Sequence, residues 1–245
     1  AYWFLTSYNR VAISNVLSVS ENGLYSIAGR FSSFITLFTT CFNMAWQEMS
    51  YSREAQKQTN QGEFYTTALN SYIKFLCMGL LMLIPAISVI FPIMINESYA
   101  DAKQLVPYYL LATIVSCISS FFGNIFTAIK KNNVLFYTTV AGSVVNVVSV
   151  HLLLPIVGVQ GASIALFLGF MVNNTIRAYL LKKEIQVSID LKFIVAWAIV
   201  YIGVSYIYLH ANAIINVLTV FVGGLLTLFV FRKELKEILG TIKNR

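Results

Sequence analysis

Acidic residues are scarce in this 245-residue sequence, and none of its ten Asp and Glu falls at the middle of an apolar segment. Glu21, Glu48, Glu54, Glu63, Glu97, Asp101, Glu184, Asp190, Glu234 and Glu237 all lie in polar connections or near the ends of apolar runs. Proton or sodium coupling through a buried carboxylate therefore has no residue here to carry it. Cysteine is sparser still. Cys41, Cys77 and Cys117 stand singly in apolar runs, which excludes a disulfide framework and a Cys/His zinc site and leaves them as small apolar fillers. Also missing are a paired-carboxylate metal motif, a Gly-rich phosphate loop ending in Lys-Ser/Thr and a serine-nucleophile motif. The chain accordingly does not read as an enzyme, and no cofactor or metal is expected. No segment has the basic start, apolar middle and small-residue cleavage site of a secretory signal. The chain opens at Ala1 directly into an apolar run, which predicts an upstream part beyond this sequence.

What is abundant is apolar surface. Hydrophobic residues make up 58% of the chain and charged ones 11%, and the mean hydropathy is +0.72. A single soluble core of this length cannot bury so much apolar area, so a bilayer is the expected solvent. About 20 apolar residues suffice to cross it as a helix. Eight such spans are predicted, near 2–20, 24–46, 66–91, 103–129, 134–154, 160–181, 191–209 and 213–231. Breakers mark the joints: Glu21-Asn22-Gly23, the stretch 47–64, Asn96-Glu97-Ser98, Lys130-Lys131-Asn132-Asn133, Pro155 to Gly161, and Lys182-Lys183-Glu184. Pro85 and Pro92 are expected to kink or end the third span, and Pro107 to mark the start of the fourth. The fold class is thus an all-α polytopic membrane protein.

Basic residues assign the sides. Thirteen of the 17 Lys and Arg fall in alternate connections: Arg53, Lys57, Lys130, Lys131, Arg177, Lys182, Lys183, Lys192, Arg232, Lys233, Lys236, Lys243 and Arg245. The opposite connections hold one, Lys103. The positive-inside rule then places the 47–64 loop and the C-terminus in the cytoplasm. The net charge of +7 is by this account a topology signal and not a nucleic-acid patch.

Three cations remain, Arg10, Arg30 and Lys74, all within apolar runs. A cation at bilayer depth is costly and usually faces a cavity on a substrate or ion path. With a turn at 20–23, Arg10 lies about 15 Å and Arg30 about 10 Å below the outer surface on a 1.5 Å rise. Ser7, Arg10, Ser14, Ser18 and Glu21 recur on one face of the first span. Asn22, Ser26, Arg30, Ser33 and Thr40 do so on the second, and Thr67, Asn70, Ser71 and Lys74 form a shorter stripe on the third. Facing one another, these stripes would line a wet, cationic cavity for an anionic cargo. Arg10, Arg30 and Lys74 are its candidate charge-binding residues, and Ser14, Ser26 and Ser33 its neutral hydrogen-bonding ones. The bland alternative is that Ser and Thr pack membrane helices and that Lys74 snorkels to the interface. Asn124, Asn146, Asn173 and Asn174 read as helix–helix hydrogen-bonding residues.

Short motifs add a resemblance. Asn9-Arg10 is followed by Glu21-Asn22-Gly23-Leu24-Tyr25-Ser26-Ile27-Ala28 and by Phe42-Asn43-Met44-Ala45-Trp46-Gln47. Further on stand Asn146 and Leu154-Pro155-Ile156-Val157-Gly158-Val159-Gln160-Gly161-Ala162. Together these resemble the polysaccharide (O-antigen or capsule) repeat-unit flippases of the multidrug/oligosaccharidyl-lipid/polysaccharide exporter superfamily. That family often carries an Asp-Arg pair early in its seventh helix, Gly-x-Tyr at the outer turn and Ala-Trp near the end of its eighth. Here Asn9 stands for the acid and leaves Arg10 without an intrahelical partner.

The resemblance implies helices seven to fourteen of a 14-helix transporter. Residues 1–182 would form the second six-helix lobe and 183–245 the two terminal helices and a cytoplasmic tail, with the N-terminal lobe lying outside this chain. It implies a bacterial cytoplasmic (inner) membrane and alternating access. The cargo would be a polyprenyl-diphosphate-linked oligosaccharide, moved from the inner to the outer leaflet among membrane lipids, beside a polysaccharide polymerase and a chain-length regulator. Arginine's planar fork suits phosphate oxygens and stays charged at depth. Competing readings are a multidrug or cation antiporter of the same superfamily, a flippase for the peptidoglycan lipid precursor, and a membrane-embedded glycan polymerase or transferase. The last would need a large outer loop, and the longest one expected, about 92–102, is short.

Overall fold

The structure is a computed structural model that describes residues 2–55 and 61–232. Every regular element among them is helical. In chain order these are α1 (Tyr2–Thr6), α2 (Tyr8–Val16), α3 (Val19–Ala55), α4 (Gln61–Met94), a 3-10 segment (Glu97–Leu105), α5 (Val106–Ala128), α6 (Asn132–Val157), α7 (Gln160–Ile185), α8 (Leu191–His210) and α9 (Ala213–Val230). Among the described residues, six stretches are long and apolar enough to cross a membrane: α4, Glu97–Ala128, α6, α7, α8 and α9. The large apolar side chains that point away from the protein fit this reading. Ile199 and Ile202 on α8, and Phe221 and Leu225 on α9, are each at least two-thirds exposed. Lipid is the solvent that tolerates such faces.

Several bounds follow the expected joints, but α7 runs through Lys182-Lys183-Glu184 to Ile185 and α4 begins at Gln61, inside the stretch expected as a connection. Lys130 takes a left-handed φ of 60°. Lys131 N donates to Phe126 O and Lys130 N to Thr127 O, at 2.8 and 3.1 Å. This is a Schellman closure of α5, made without glycine. Gly158 ends α6 at a positive φ of 63° with ψ −148°, an extended conformation that only glycine adopts readily. A Cβ on Gly161 would lie 2.7 Å from the Leu153 backbone, so the turn to α7 tolerates no side chain there. Pro107 sits in the first turn of α5, where its missing N–H costs nothing. Pro85 and Pro92 lie inside α4, which ends only at Met94, so neither stops the helix at its own position.

The first two of the eight expected spans take another form. Residues 2–20 are not one helix: the chain breaks at Ser7 and again at Leu17-Ser18. Glu21-Asn22-Gly23, expected as the turn, lies inside α3. The cause is local. Glu21 N donates to Ser18 Oγ at 3.1 Å, which makes Ser18 the N-cap of a Ser-x-x-Glu capping arrangement. Once that cap forms, Gly23 has only helical propensity to lose. α3 then runs 37 residues, about 55 Å at 1.5 Å per residue, and does not reach the apolarity of the six. It also shortens the expected 47–64 connection, since helix covers that stretch to Ala55 and again from Gln61. Lys57 and the basic residues from Lys233 onward lie outside the described residues.

Contacts divide the chain into two compact units. One comprises residues up to Ile73 together with Tyr99–Leu191, and the other Lys74–Ser98 with the chain from Lys192. In the first, α6 and α7 pack most extensively. Their crossing is held by glycine on both sides: a Cβ on Gly142 would lie 2.7 Å from Gly169 O, and one on Gly169 would lie 2.8 Å from Gly142 O. Small residues let membrane helices approach to backbone contact in this way. A stack of rings joins α3, α4 and α5, with the centroids of Tyr72 and Phe121 4.7 Å apart and those of Trp46 and Phe121 4.9 Å apart. In the second unit α8 and α9 both pack on α4. Trp197 Nε1 donates to Cys77 O at 2.8 Å, and Gly223 admits the side chain of Met82.

Candidate functional site

The sequence-predicted cations occupy different settings. Arg10 on α2 and Arg30 on α3 are exposed, and neither side chain hydrogen-bonds or pairs with an acid among the described residues. Moving the turn to Leu17-Ser18 reverses their distances from it: Arg10 lies six residues before the end of α2, about 9 Å, and Arg30 eleven residues into α3, about 17 Å. Ser14 is half-buried and accepts from Asn22 Nδ2 at 2.9 Å, a bond that ties the α2 stripe to the α3 stripe. Half-buried Ser26 spends its hydroxyl on Asn22 O at 2.8 Å, and Ser33 is exposed. Lys74 falls in the second unit, half-buried, with Nζ 5.8 Å from the centroid of the Phe193 ring.

Three of the four asparagines read as helix–helix hydrogen-bonding residues do that work. Asn146 Nδ2 donates to Asn9 Oδ1 and Phe4 O at 2.8 and 2.9 Å. Asn124 joins Gln47 and Asn43, and Asn174 Nδ2 donates to Val115 O at 2.9 Å. Asn9, fully buried, donates through Nδ2 to Ala162 O at 2.7 Å. An aspartate at this position would have no proton for that bond when ionised. Asn173 is buried and bridges no helices; its Oδ1 has no hydrogen-bond partner among the described residues, as is also true of Asn146 Oδ1 and Asn174 Oδ1.

A cation missed by sequence reasoning dominates the interior of the first unit. Arg177 was placed with the basic connections, but it lies inside α7 at 6% exposure. Nε donates to Thr138 Oγ1 at 2.9 Å, Nη1 to Ser119 O and Oγ at 2.7 and 3.0 Å, and Nη2 to Thr139 Oγ1 at 3.2 Å. One guanidinium thus joins α5, α6 and α7 through neutral acceptors only. The nearest acid along α7, Glu184, pairs instead with Lys131. Beside Arg177 opens a cavity of about 350 Å³ lined by Tyr2, Ser119, Asn124, Thr139 and Asn173 among others. A buried charge without a counter-ion is expensive, and a polar cavity at its edge is where compensation can enter. No three His, Cys, Asp or Glu side chains among the described residues are placed to hold a metal ion.

The signal for Arg177 was in the spacing. Asn173 and Arg177 are four residues apart, on the face of α7 that carries buried Gly169, Phe170 and Leu181. Proximity in sequence to Lys182-Lys183 masked it. Comparison with known proteins adds no relative: no family, curated protein or solved structure matches this chain.

Proposed function

We propose that this chain forms part of a transporter that carries polyprenyl-diphosphate-linked oligosaccharide repeat units from the cytoplasmic to the outer leaflet of a bacterial cytoplasmic membrane. In this reading it supplies helices seven to fourteen of a 14-helix protein, with α1–α2 and α3 taking the place of the first two spans and the C-terminus in the cytoplasm. With Arg177 removed from the basic connections, twelve of the 17 Lys and Arg still fall in the set that the positive-inside rule makes cytoplasmic.

The observation that carries the proposal is a pair of arginines without an acid partner on α2 and α3, helices that are not themselves among the membrane-crossing six but pack against α6 and α5, which are. Arg10 and Arg30 are exposed and unpaired among the described residues, and such charges attract an anion that must be desolvated to cross hydrocarbon. A diphosphate is that kind of anion, and arginine binds phosphate oxygens through its fork. The motif resemblance supports the glycan-lipid identity. A drug or cation antiporter fits less well, because a cationic cargo would be repelled by the same residues.

The test uses the full-length parent in its native host, carrying Arg30→Ala, Arg10→Ala or both, at matched protein level. Surface polysaccharide should fall, by roughly tenfold or more for the double variant if each arginine contributes a charged hydrogen bond, and diphosphate-linked repeat units should accumulate in the inner leaflet. Normal export from the double variant refutes the role of these arginines. Normal export on deletion of the whole protein refutes the transport reading.

A further inference from the structure

We propose that the cavity beside Arg177 is a binding site for one compact monovalent anion, with chloride as its natural occupant, a property that does not depend on the transported cargo.

The argument begins from a count of protons. A guanidinium has five N–H donors. Arg177 spends one at Nε on Thr138, two at Nη1 on Ser119 and one at Nη2 on Thr139. One Nη2 hydrogen remains. Ser119 and Thr139 accept from the guanidinium through their hydroxyl oxygens, and among the described residues no bond uses the hydroxyl hydrogen of either. Thr138 differs, because its hydroxyl is already committed to Val134 O at 2.8 Å. Three donors therefore remain at the cavity: one N–H and two O–H groups, the latter polarised by the cation they touch.

The charge balance points the same way. Arg177 is 6% exposed and surrounded by neutral acceptors, and no acid pairs with it among the described residues. Asn173, 1% exposed, lines the same cavity with an unpartnered Oδ1. Asn146 and Asn174 have unpartnered oxygens as well, so Asn173 adds a polar wall to the cavity and no donor to the count.

The geometry also selects the kind of anion. Bidentate capture of a phosphate or carboxylate needs two parallel N–H groups along one edge of the guanidinium. Those edges are occupied here by Thr138, Thr139 and Ser119, and a single N–H cannot make the fork. A spherical anion has no such requirement. It sits against one N–H and the flanking hydroxyls and cancels one unit of charge.

The experiment uses the full-length protein purified in detergent with gluconate as the sole anion. Chloride replaces gluconate at constant ionic strength while thermal unfolding is followed, and radioactive chloride binding is measured in parallel. A saturable rise in Tm with one chloride bound is expected, because a ligand of the folded state stabilises it by mass action. Arg177→Gln should abolish both signals, and Arg30→Ala should leave them intact. Thr139→Val and Ser119→Ala should each weaken the chloride midpoint by roughly tenfold, the loss of one charged hydrogen bond. Equal Tm in chloride and gluconate overturns the proposal, as does a chloride response that survives Arg177→Gln. A response to inorganic phosphate but not to chloride overturns the spherical-anion assignment. If Arg177→Gln does not accumulate, the other two variants decide, and an unchanged midpoint in both refutes the site.

Discussion

Asn9 and Arg177 show how a single buried side chain in these helices is fixed by the donors and acceptors around it. Asn9 must give a proton to Ala162 O and receive one from Asn146. Only an amide does both at once. Asn9→Asp keeps the second bond and sets a carboxylate oxygen against a carbonyl, so it should destabilise the protein by about 1–3 kcal/mol. A fall in Tm relative to the parent in detergent checks this, and an unchanged Tm contradicts it. At this scale the sequence was legible in part. Asn124, Asn146 and Asn174 were readable as bonding residues, since an amide in an apolar helix must find partners. Arg177 was not, because eight residues from a helix end a basic side chain can equally belong to the interface. Deciding between the two requires knowing that Ser119, Thr138 and Thr139 converge on it from other helices.

Among the elements, bounds were legible where asparagine or glycine marks the joint: Asn132 begins α6 and Gly158 ends it. Charge alone was a poorer guide, since α7 runs through Lys182-Lys183-Glu184 and closes only at Gln186, in a left-handed conformation. The α2–α3 joint misled because two local signals compete three residues apart. Gly23 is permissive, while Ser18 supplies a hydrogen bond to Glu21 N, and a bond gained outweighs a mild propensity cost. The glycines that matter are those at the α6–α7 crossing. Gly142→Ala or Gly169→Ala places a Cβ within 3 Å of the partner's backbone oxygen, and forcing the helices apart should cost about 1–3 kcal/mol. Gly203→Ala is the control, since a Cβ there meets nothing within 4 Å. Thermal unfolding of the three variants should show the first two lowered and the third unchanged. Equal values would mean that the crossing relaxes freely.

For the molecule as a whole, the proposed orientation can be read from outside the cell. With Cys41, the exposed cysteine, changed to Ser, only buried Cys77 and Cys117 remain. A membrane-impermeant maleimide added to intact cells should then label Lys103→Cys and spare Lys182→Cys, which reacts only after permeabilisation. The opposite pattern would invert the topology.

The hydrogen bonds of Arg177 and the glycine crossing bear on motion as well as on stability. α5, α6 and α7 are bolted together by a guanidinium that reaches two of them from the third and by backbone contact between two. Such a block resists internal shear, since sliding one helix breaks several bonds at once. α1 and α2 are its opposite: 5 and 9 residues long, with a break between them and another before α3. They are anchored at buried Leu5, Asn9 and Ile13 and by the Tyr8–His151 pair at 2.8 Å, but their backbone is interrupted twice. If the unit moves in the proposed transport, the two joints flanking α2 are where it is expected to bend, and Arg10 rides between them.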